Sequence, residues 1–178
     1  MYKKLKHKKI YQDKYLSVHQ DEVEFSNGAK GTHAWINRID GVGIVPITPD
    51  KKILLIKQHR YVIGEYSWEI PGGGIDKDET PQNAARRELH EETGIKAEKF
   101  ENLGVFYPLN SLNTEKVTNF YCIIEDVSPT NIKSESSEDI AEYRFISFSK
   151  ALEMIDSGEI NDAMTANAIQ MVIRKLNK

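Results

Sequence analysis

The stretch GGIDKDETPQNAARRELHEETGI, residues 73–95, decides how the rest of the chain is read. It opens on glycine, closes on Gly94-Ile95, and sets Glu88, Glu91 and Glu92 within five residues, beside Arg86 and Arg87. Thr80 is a natural N-cap, Pro81 suits the first helical position and Gly94 suits a helix stop, which predicts a helix from residue 80 or 81 to about 92. On that helix Glu88 lies three residues from Glu91 and four from Glu92, so the carboxylates share a face. Like charges at these spacings repel, and glutamates near a helix C-terminus oppose its dipole. One reading is a solvated acidic face. The other is a site for a hard divalent cation, which wants clustered oxygen ligands and, for Mg²⁺, a few carboxylates plus substrate phosphates. Context favours the cation. Gly72, Gly73 and Gly74 lie just upstream, and a loop of small residues lets backbone carbonyls and amides approach closely. Glu79 lies between, and Arg87 can neutralise one carboxylate. By helical spacing His90 faces away from the glutamates, as a structural or solvated residue.

Outward from this helix the chain is mainly strand. SWEIPGGG (67–74) is predicted as a short strand running into the glycine loop. LSVHQDEVEF (16–25) and THAWINRI (32–39) form a hairpin around Asn27-Gly28. VGIVPIT (42–48) and ILLIKQHR (53–60) are more continuously apolar, as strands buried on both faces are. Further strands are expected at 100–108, 117–127 and 140–148, with a polar loop over 128–139. Helices at 149–158 and from about Asn161 close the chain, the last placing Met164, Ala168 and Met171 on one face. This order predicts an α/β fold, a mixed sheet between helices behind a small N-terminal antiparallel β-sheet. The divide is expected between residues 1–40 and 41–178.

Composition narrows the function. A chain of 178 residues with 39% hydrophobic side chains suits one globular domain with a small appendage. The net charge of −3 carries no electrostatic footprint for nucleic acid, so none is expected as a partner. Cys122 is the single cysteine and, in a strand-like setting, reads as a core thiol. The basic start, MYKKLKHKKIYQDKY, lacks the apolar segment of a signal peptide. No run approaches the roughly 20 apolar residues of a membrane span, so the expectation is a cytoplasmic protein with no membrane partner. His7, His19, His33, His59 and His90 are scattered, without the spacing of a zinc site.

Gly73, Glu79, Arg87, Glu88, Leu89, Glu91, Glu92, Gly94 and Ile95 match every fixed position of the Nudix box. That pattern is glycine, five residues, glutamate, seven residues, Arg-Glu-aliphatic, one residue, Glu-Glu, one residue, glycine-aliphatic. The chain therefore resembles a Nudix hydrolase. The resemblance implies an α/β/α sandwich and Mg²⁺- or Mn²⁺-dependent hydrolysis of a nucleoside diphosphate linked to another moiety. It implies Glu88 and Glu92 as main metal ligands, Glu91 as a further ligand or a supporting group, and the Gly72 carbonyl as a backbone ligand. It also implies that Arg87 pairs with Glu79 and fixes the helix against the loop. The chemistry fits independently, because a pyrophosphate must be neutralised before water attacks phosphorus, and bound metals can do this and activate the water.

DEVEFSNG, GVGIVPITPDKKILLIKQHRY, SWEIPGGGID and INDAMTANAIQMV extend the resemblance over roughly residues 16–173, to the branch that cleaves ADP-ribose and other nucleoside diphosphate sugars. In that branch the N-terminal sheet swaps between two subunits, which implies a homodimer. FYPLNSLNTEK (106–116) keeps Pro108 and Glu115 of the sugar-side loop but lacks its glycine, which widens the expected range to ADP-ribose, ADP-glucose or GDP-mannose. In KSESSEDI (133–140) Glu138 aligns with a metal-binding glutamate, and Ser136 occupies the position of the base in some relatives. Glu138 is the first candidate for that catalytic role and Glu135 the second. Arg60 resembles an arginine that meets the phosphates, with a surface ion pair as the alternative. Glu69 and Glu115 are further substrate-binding candidates. Trp68 is a core residue or a base-stacking one, and Trp35 serves the dimer interface or the nucleobase. A Nudix hydrolase of nucleoside triphosphates or capped RNA is the alternative enzyme, although the N-terminal hairpin and the INDAMTANAIQ segment argue against it. A non-catalytic nucleotide-sugar sensor is the third reading, and the intact box glutamates disfavour it.

Overall fold

Along β4 (Gly41–Ile47) and β5 (Lys52–Arg60) successive side chains turn to opposite faces, and both faces are buried. Val45, Ile47, Ile53 and Leu55 pack on one side with Met154 of α2 (Phe148–Asp156) and with Ala168, Ile169 and Val172 of α3 (Ala163–Leu176). Val42, Ile44 and Leu54 pack on the other side with Ala84, Ala85 and Leu89 of α1 (Pro81–Thr93). Each buried large aliphatic side chain contributes about 1.5–3 kcal/mol. This alternation is what makes the sandwich. The computed structural model describes residues 2–125 and 140–177, and these divide into two units.

The larger unit comprises Gly41–Phe106 and the chain from Val117 onward. Its sheet runs β10-β5-β4-β9-β8, where β8 is Glu101–Phe106, β9 is Val117–Ile123 and β10 is Ile140–Ser147. β4 and β9 are parallel and the other pairings antiparallel, so the sheet is mixed as expected. β4 and β5 pair only at Ile47 and Ile53 and then diverge. The run 67–74, expected as a short strand running into a glycine loop, holds two strands that fill this gap, the loop itself being the second. β6 (Glu65–Glu69) pairs with β5, and β7 (Gly72–Gly74) pairs with β4. Pro71 accounts for the break, since it has no N–H for a ladder; its carbonyl accepts from Ile44 N–H at 2.8 Å. Ile70 N–H turns instead to Thr165 Oγ1 at 3.2 Å. α1 begins at the Thr80 cap, whose hydroxyl accepts from Asn83 N–H at 3.3 Å, and ends at Gly94 with φ 68°, a left-handed conformation that glycine adopts without strain. No helix among the described residues is long and apolar enough to cross a membrane.

The smaller unit holds the residues up to Asp40 together with Tyr107–Lys116. Its sheet has the order β1-β2-β3, with β2 (Leu16–Glu24) and β3 (Lys30–Arg38) making the expected hairpin. Gly28, at φ 82°, donates its N–H to Phe25 O at 2.9 Å and closes the turn. The basic start of the chain, read without secondary structure, is the ten-residue strand β1 (Lys3–Gln12). All of it is exposed, so no apolar alternation marks it in sequence. Its register runs from Lys3 opposite Glu24 to Gln12 opposite Ser17, and it sets lysines beside acidic residues, as at Lys6 and Glu22. Residues 107–116 join this unit by hydrogen bonds from Ile36 N–H to Leu112 O (2.8 Å) and from Thr114 N–H to Ile36 O (3.0 Å).

Candidate active site

β7 and α1 build the site. Glu92, buried on the inner side of α1, accepts at Oε2 from Gly72 N–H at 2.9 Å. The backbone carbonyl of Glu92 accepts from the Tyr143 hydroxyl at 2.8 Å, which ties β10 to the end of α1. The Glu88 carboxylate lies against the α-carbon of Gly73, in the space a Cβ there would fill. Glycine at 73 is therefore required by close approach, not by a turn.

Arg87 organises the acidic groups. Its Nε and Nη2 donate to the two oxygens of Glu79 at 3.1 and 2.8 Å, and Nη2 also donates to Gly74 O at 2.9 Å. Nη1 donates to Glu88 at 2.7 Å and to Glu91 at 3.1 Å. One arginine thus hydrogen-bonds three carboxylates and stands 3.9 Å from a fourth, Asp76, where sequence suggested one. Such a fork holds planar partners as a lysine could not. The bond to Glu79, and then the charge of Glu88, raise the Arg87 pKa above its ordinary value against the effect of burial. Arg87 in turn holds the Glu79 carboxyl below the usual glutamate range, with help from the Asp76 N–H at 3.1 Å.

Glu79, Glu88 and Glu91 bond the guanidinium and Glu92 bonds the loop backbone, so four carboxylates gather on α1 and the loop before it. Hard oxygen donors in this number suit a hard divalent cation, and the absence of a side chain at Gly73 lets the Glu88 carboxylate lie directly against the loop backbone. Glu88, Glu91, Glu92 and the Gly72 carbonyl would hold it. Among the described residues no three His, Cys, Asp or Glu side chains already converge as a finished cage. Glu88 and Glu91 bond Arg87, and Glu92 bonds Gly72 N–H.

The other sequence candidates are placed as follows. Arg60 and Glu69 meet each other in a bidentate ion pair, Nε to Oε1 at 2.9 Å and Nη2 to Oε2. Trp68 is buried under the Arg144 guanidinium, 4.3 Å from its ring centre, and is a core residue. Glu115 and Trp35 belong to the smaller unit. Glu115 stands 3.6 Å from Arg38 and accepts from Asn113 at 3.3 Å; burial pushes its carboxyl up, and Arg38 draws it back. Trp35 donates its indole N–H to Asp21 at 3.0 Å and stacks on His19 with ring centres 4.1 Å apart. Glu138 and Glu135 lie outside the described residues. Tyr143 was not foreseen, because nothing in sequence relates it to a carbonyl 51 residues earlier.

Residues 37–166 match the NUDIX domain, well over half of the chain. The protein belongs to the Nudix family. As a Nudix hydrolase it is 33% identical to the ADP-ribose pyrophosphatase of Bacillus subtilis over 162 residues, 90% of this chain and 86% of that relative. It is 26% identical to the methanol dehydrogenase activator of Bacillus methanolicus over 168 residues, 94% of this chain and 90% of the relative. Among solved structures an ADP compounds hydrolase superposes with a TM-score of 0.81 over 99% of this chain and 94% of its own, at 23% identity, which shows the shared Nudix fold.

Proposed function

We propose that this Nudix hydrolase splits the pyrophosphate of nucleoside diphosphate sugars, ADP-ribose and its relatives, into a nucleoside monophosphate and a sugar phosphate. The observation that carries the reading is the set of carboxylates gathered on the Gly72–Gly74 loop, with Glu92 bonded to Gly72 N–H and Glu88 against Gly73. The similarity to an ADP-ribose pyrophosphatase along nearly the whole chain supports the substrate class. Mg²⁺, or Mn²⁺ in its place, is the proposed cation, held by Glu88, Glu92, Glu91 and the Gly72 carbonyl, with Glu138 as a further ligand. Its chemistry is to neutralise the pyrophosphate and lower the pKa of an attacking water. Arg87 positions Glu88 and Glu91 and locks the loop through Glu79 and Gly74. Arg60, paired with Glu69, presents its guanidinium to the phosphates; Glu115 serves the sugar side. Trp35 offers its ring to the nucleobase, Glu138 is the first candidate for the base and Glu135 the second. The working protein is a cytoplasmic homodimer whose N-terminal sheet, residues 1–40, contributes to dimerisation.

The test is a panel of nucleotide sugars, nucleoside triphosphates and capped RNA, incubated with Mg²⁺ or with chelator, products separated by chromatography. AMP and ribose 5-phosphate from ADP-ribose, only with metal, is the expected result. Cleavage of triphosphates or capped RNA alone would overturn the substrate class. Tight binding of a nucleotide sugar without turnover would overturn catalysis. Glu138→Gln should lower turnover more than Glu135→Gln.

A further inference from the structure

In the smaller unit five side chains form one continuous hydrogen-bonded array that the sequence leaves scattered. Ser17 Oγ lies 2.8 Å from His19 Nε2, His19 Nδ1 lies 3.2 Å from His7 Nε2, and His7 Nδ1 lies 2.7 Å from Asp21 Oδ1. The other oxygen of Asp21 accepts from the Trp35 indole N–H at 3.0 Å. The rings cluster, His7 on His19 at 5.0 Å, His19 on Trp35 at 4.1 Å and within 13° of parallel, and His7 tilted at 6.1 Å from Trp35. Ser17 and His19 are buried, while Trp35 is half-buried. One proton assignment satisfies every bond: Ser17 donates to His19, His19 to His7 and His7 to Asp21.

We propose that Ser17, His19, His7 and Asp21 are positioning residues for the Trp35 ring, and that a second proton taken up by the two histidines dismantles the array. This rests on the reading that Trp35 meets the nucleobase. One added proton is accommodated, because one of the two facing ring nitrogens, His19 Nδ1 and His7 Nε2, can still accept from the other. A second proton sets N–H against N–H across 3.2 Å, and the two rings must part. The charged groups around the pair are Lys9, the cross-strand neighbour of His19, Lys4, which acts on Asp21, and His33, opposite Asp21 on β3. Burial first, then the charges of His7 and Lys9, lower the His19 pKa, with Asp21 opposing. A histidine whose folded pKa is lowered binds its proton less readily in the native state than in the unfolded chain. The array is therefore complete above the ordinary histidine value of about 6.5 and loses stability as pH falls below it.

The same geometry limits what Trp35 can read. His19 covers one face of the indole, and Asp21 takes its only donor. What the ring can offer a base is stacking rather than a hydrogen bond, and stacking tolerates any base. Trp35 thus contributes affinity without choosing between ADP- and GDP-linked substrates.

The experiment follows the two tryptophan indole signals and the histidine ring protons of ¹⁵N-labelled protein by NMR from pH 8 to 5, with KM and kcat for ADP-ribose over the same range. The buried Trp68 is the internal control. The expected result is that the Trp35 signal moves in the same step as the His19 ring. KM should rise by about tenfold across that step, within the range that base stacking on an aromatic ring supports, while kcat keeps its own profile. His7→Gln, whose amide oxygen can accept from a protonated His19, should flatten the KM rise and hold the Trp35 signal in place. Trp35→Ala should raise KM for ADP- and GDP-linked sugars by similar factors. A Trp35 signal unmoved down to pH 5 overturns the proposal, as does an undiminished KM rise in His7→Gln. If no nucleotide sugar is cleaved the functional reading fails, yet the NMR titration still decides whether the array opens.

Discussion

Replacing Arg87 by methionine tests the electrostatic design of the site directly. Methionine keeps much of the side-chain length and removes the cation. Arg87 is only 28% exposed, and the carboxylates of Glu79 and Glu88 are 15% and 13% exposed, so water only partly replaces the lost partner. Removing one member of a buried pair costs 3–5 kcal/mol; partial solvation here brings the expected loss to about 3 kcal/mol. Glu91 is 42% exposed and adds little to that figure, because water screens the pair. For a chain of this length about 3 kcal/mol lowers the melting temperature by about 6–12 °C. Differential scanning calorimetry with chelator measures it. Millimolar Mg²⁺ should recover part of the loss, since a cation bound to Glu88 and Glu91 substitutes for the missing charge and stabilises the folded state by mass action. The pH dependence has a fixed sign. Glu79 has a lowered pKa in the folded protein, so the Arg87 pairing contributes fully above the ordinary glutamate value of about 4.3 and fades as pH falls through the lower folded value. The gap between wild type and Arg87→Met should therefore narrow in acid. A drop below about 2 °C at neutral pH, or a gap that widens in acid, would refute the reasoning, since either means these pairs are solvated and contribute little.

Three further outcomes follow from the same geometry. Glu92→Gln keeps an oxygen that can accept from Gly72 N–H, so the fold should survive with a loss of about 1 kcal/mol, while turnover of ADP-ribose falls at least ~100-fold through the lost charge on the metal; a melting scan and a rate assay check the two halves. Gly73→Ala drives a methyl group into the Glu88 carboxylate, and should weaken Mg²⁺ binding by calorimetric titration at a stability cost of about 1–3 kcal/mol. Burial pushes the Cys122 thiol up to about 12, so iodoacetamide at neutral pH should leave the native protein unlabelled by mass spectrometry and label it after unfolding.

The helix carrying the site was legible in sequence because its signals are local. Thr80, Pro81 and Gly94 act within a few residues of themselves, and the structure places cap, start and stop where those residues stand. The layers were legible for a similar reason. Continuous apolar runs at 42–48 and 53–60 require both faces to be covered, and α1 on one side with α2 and α3 on the other cover them. β1 escaped notice because all ten of its residues are exposed; its pairing comes from backbone bonds and from acidic residues on another strand. That β7 is a strand was hidden because its three glycines read as a loop after β6. Pro71 marks the break, but the change of partner arises because β4 and β5 diverge, and that divergence has no local signature.

By itself the sequence determined the family, the helix that bears the carboxylates and the glycine loop beside it, since each depends on residue type at short fixed spacing. Tertiary structure alone decided how the charges are shared. Sequence places Glu88, Glu91 and Glu92 on one face, yet the fold gives Glu88 and Glu91 to Arg87 and turns Glu92 to Gly72, twenty residues away. It likewise joins His7 to Asp21 and His19 to Trp35, partners at separations of 14 and 16 that only strand register brings together. The physical reason is range. Capping and helical periodicity act within about one turn of chain, whereas a hydrogen bond or an ion pair forms wherever packing brings its two ends within about 3 Å.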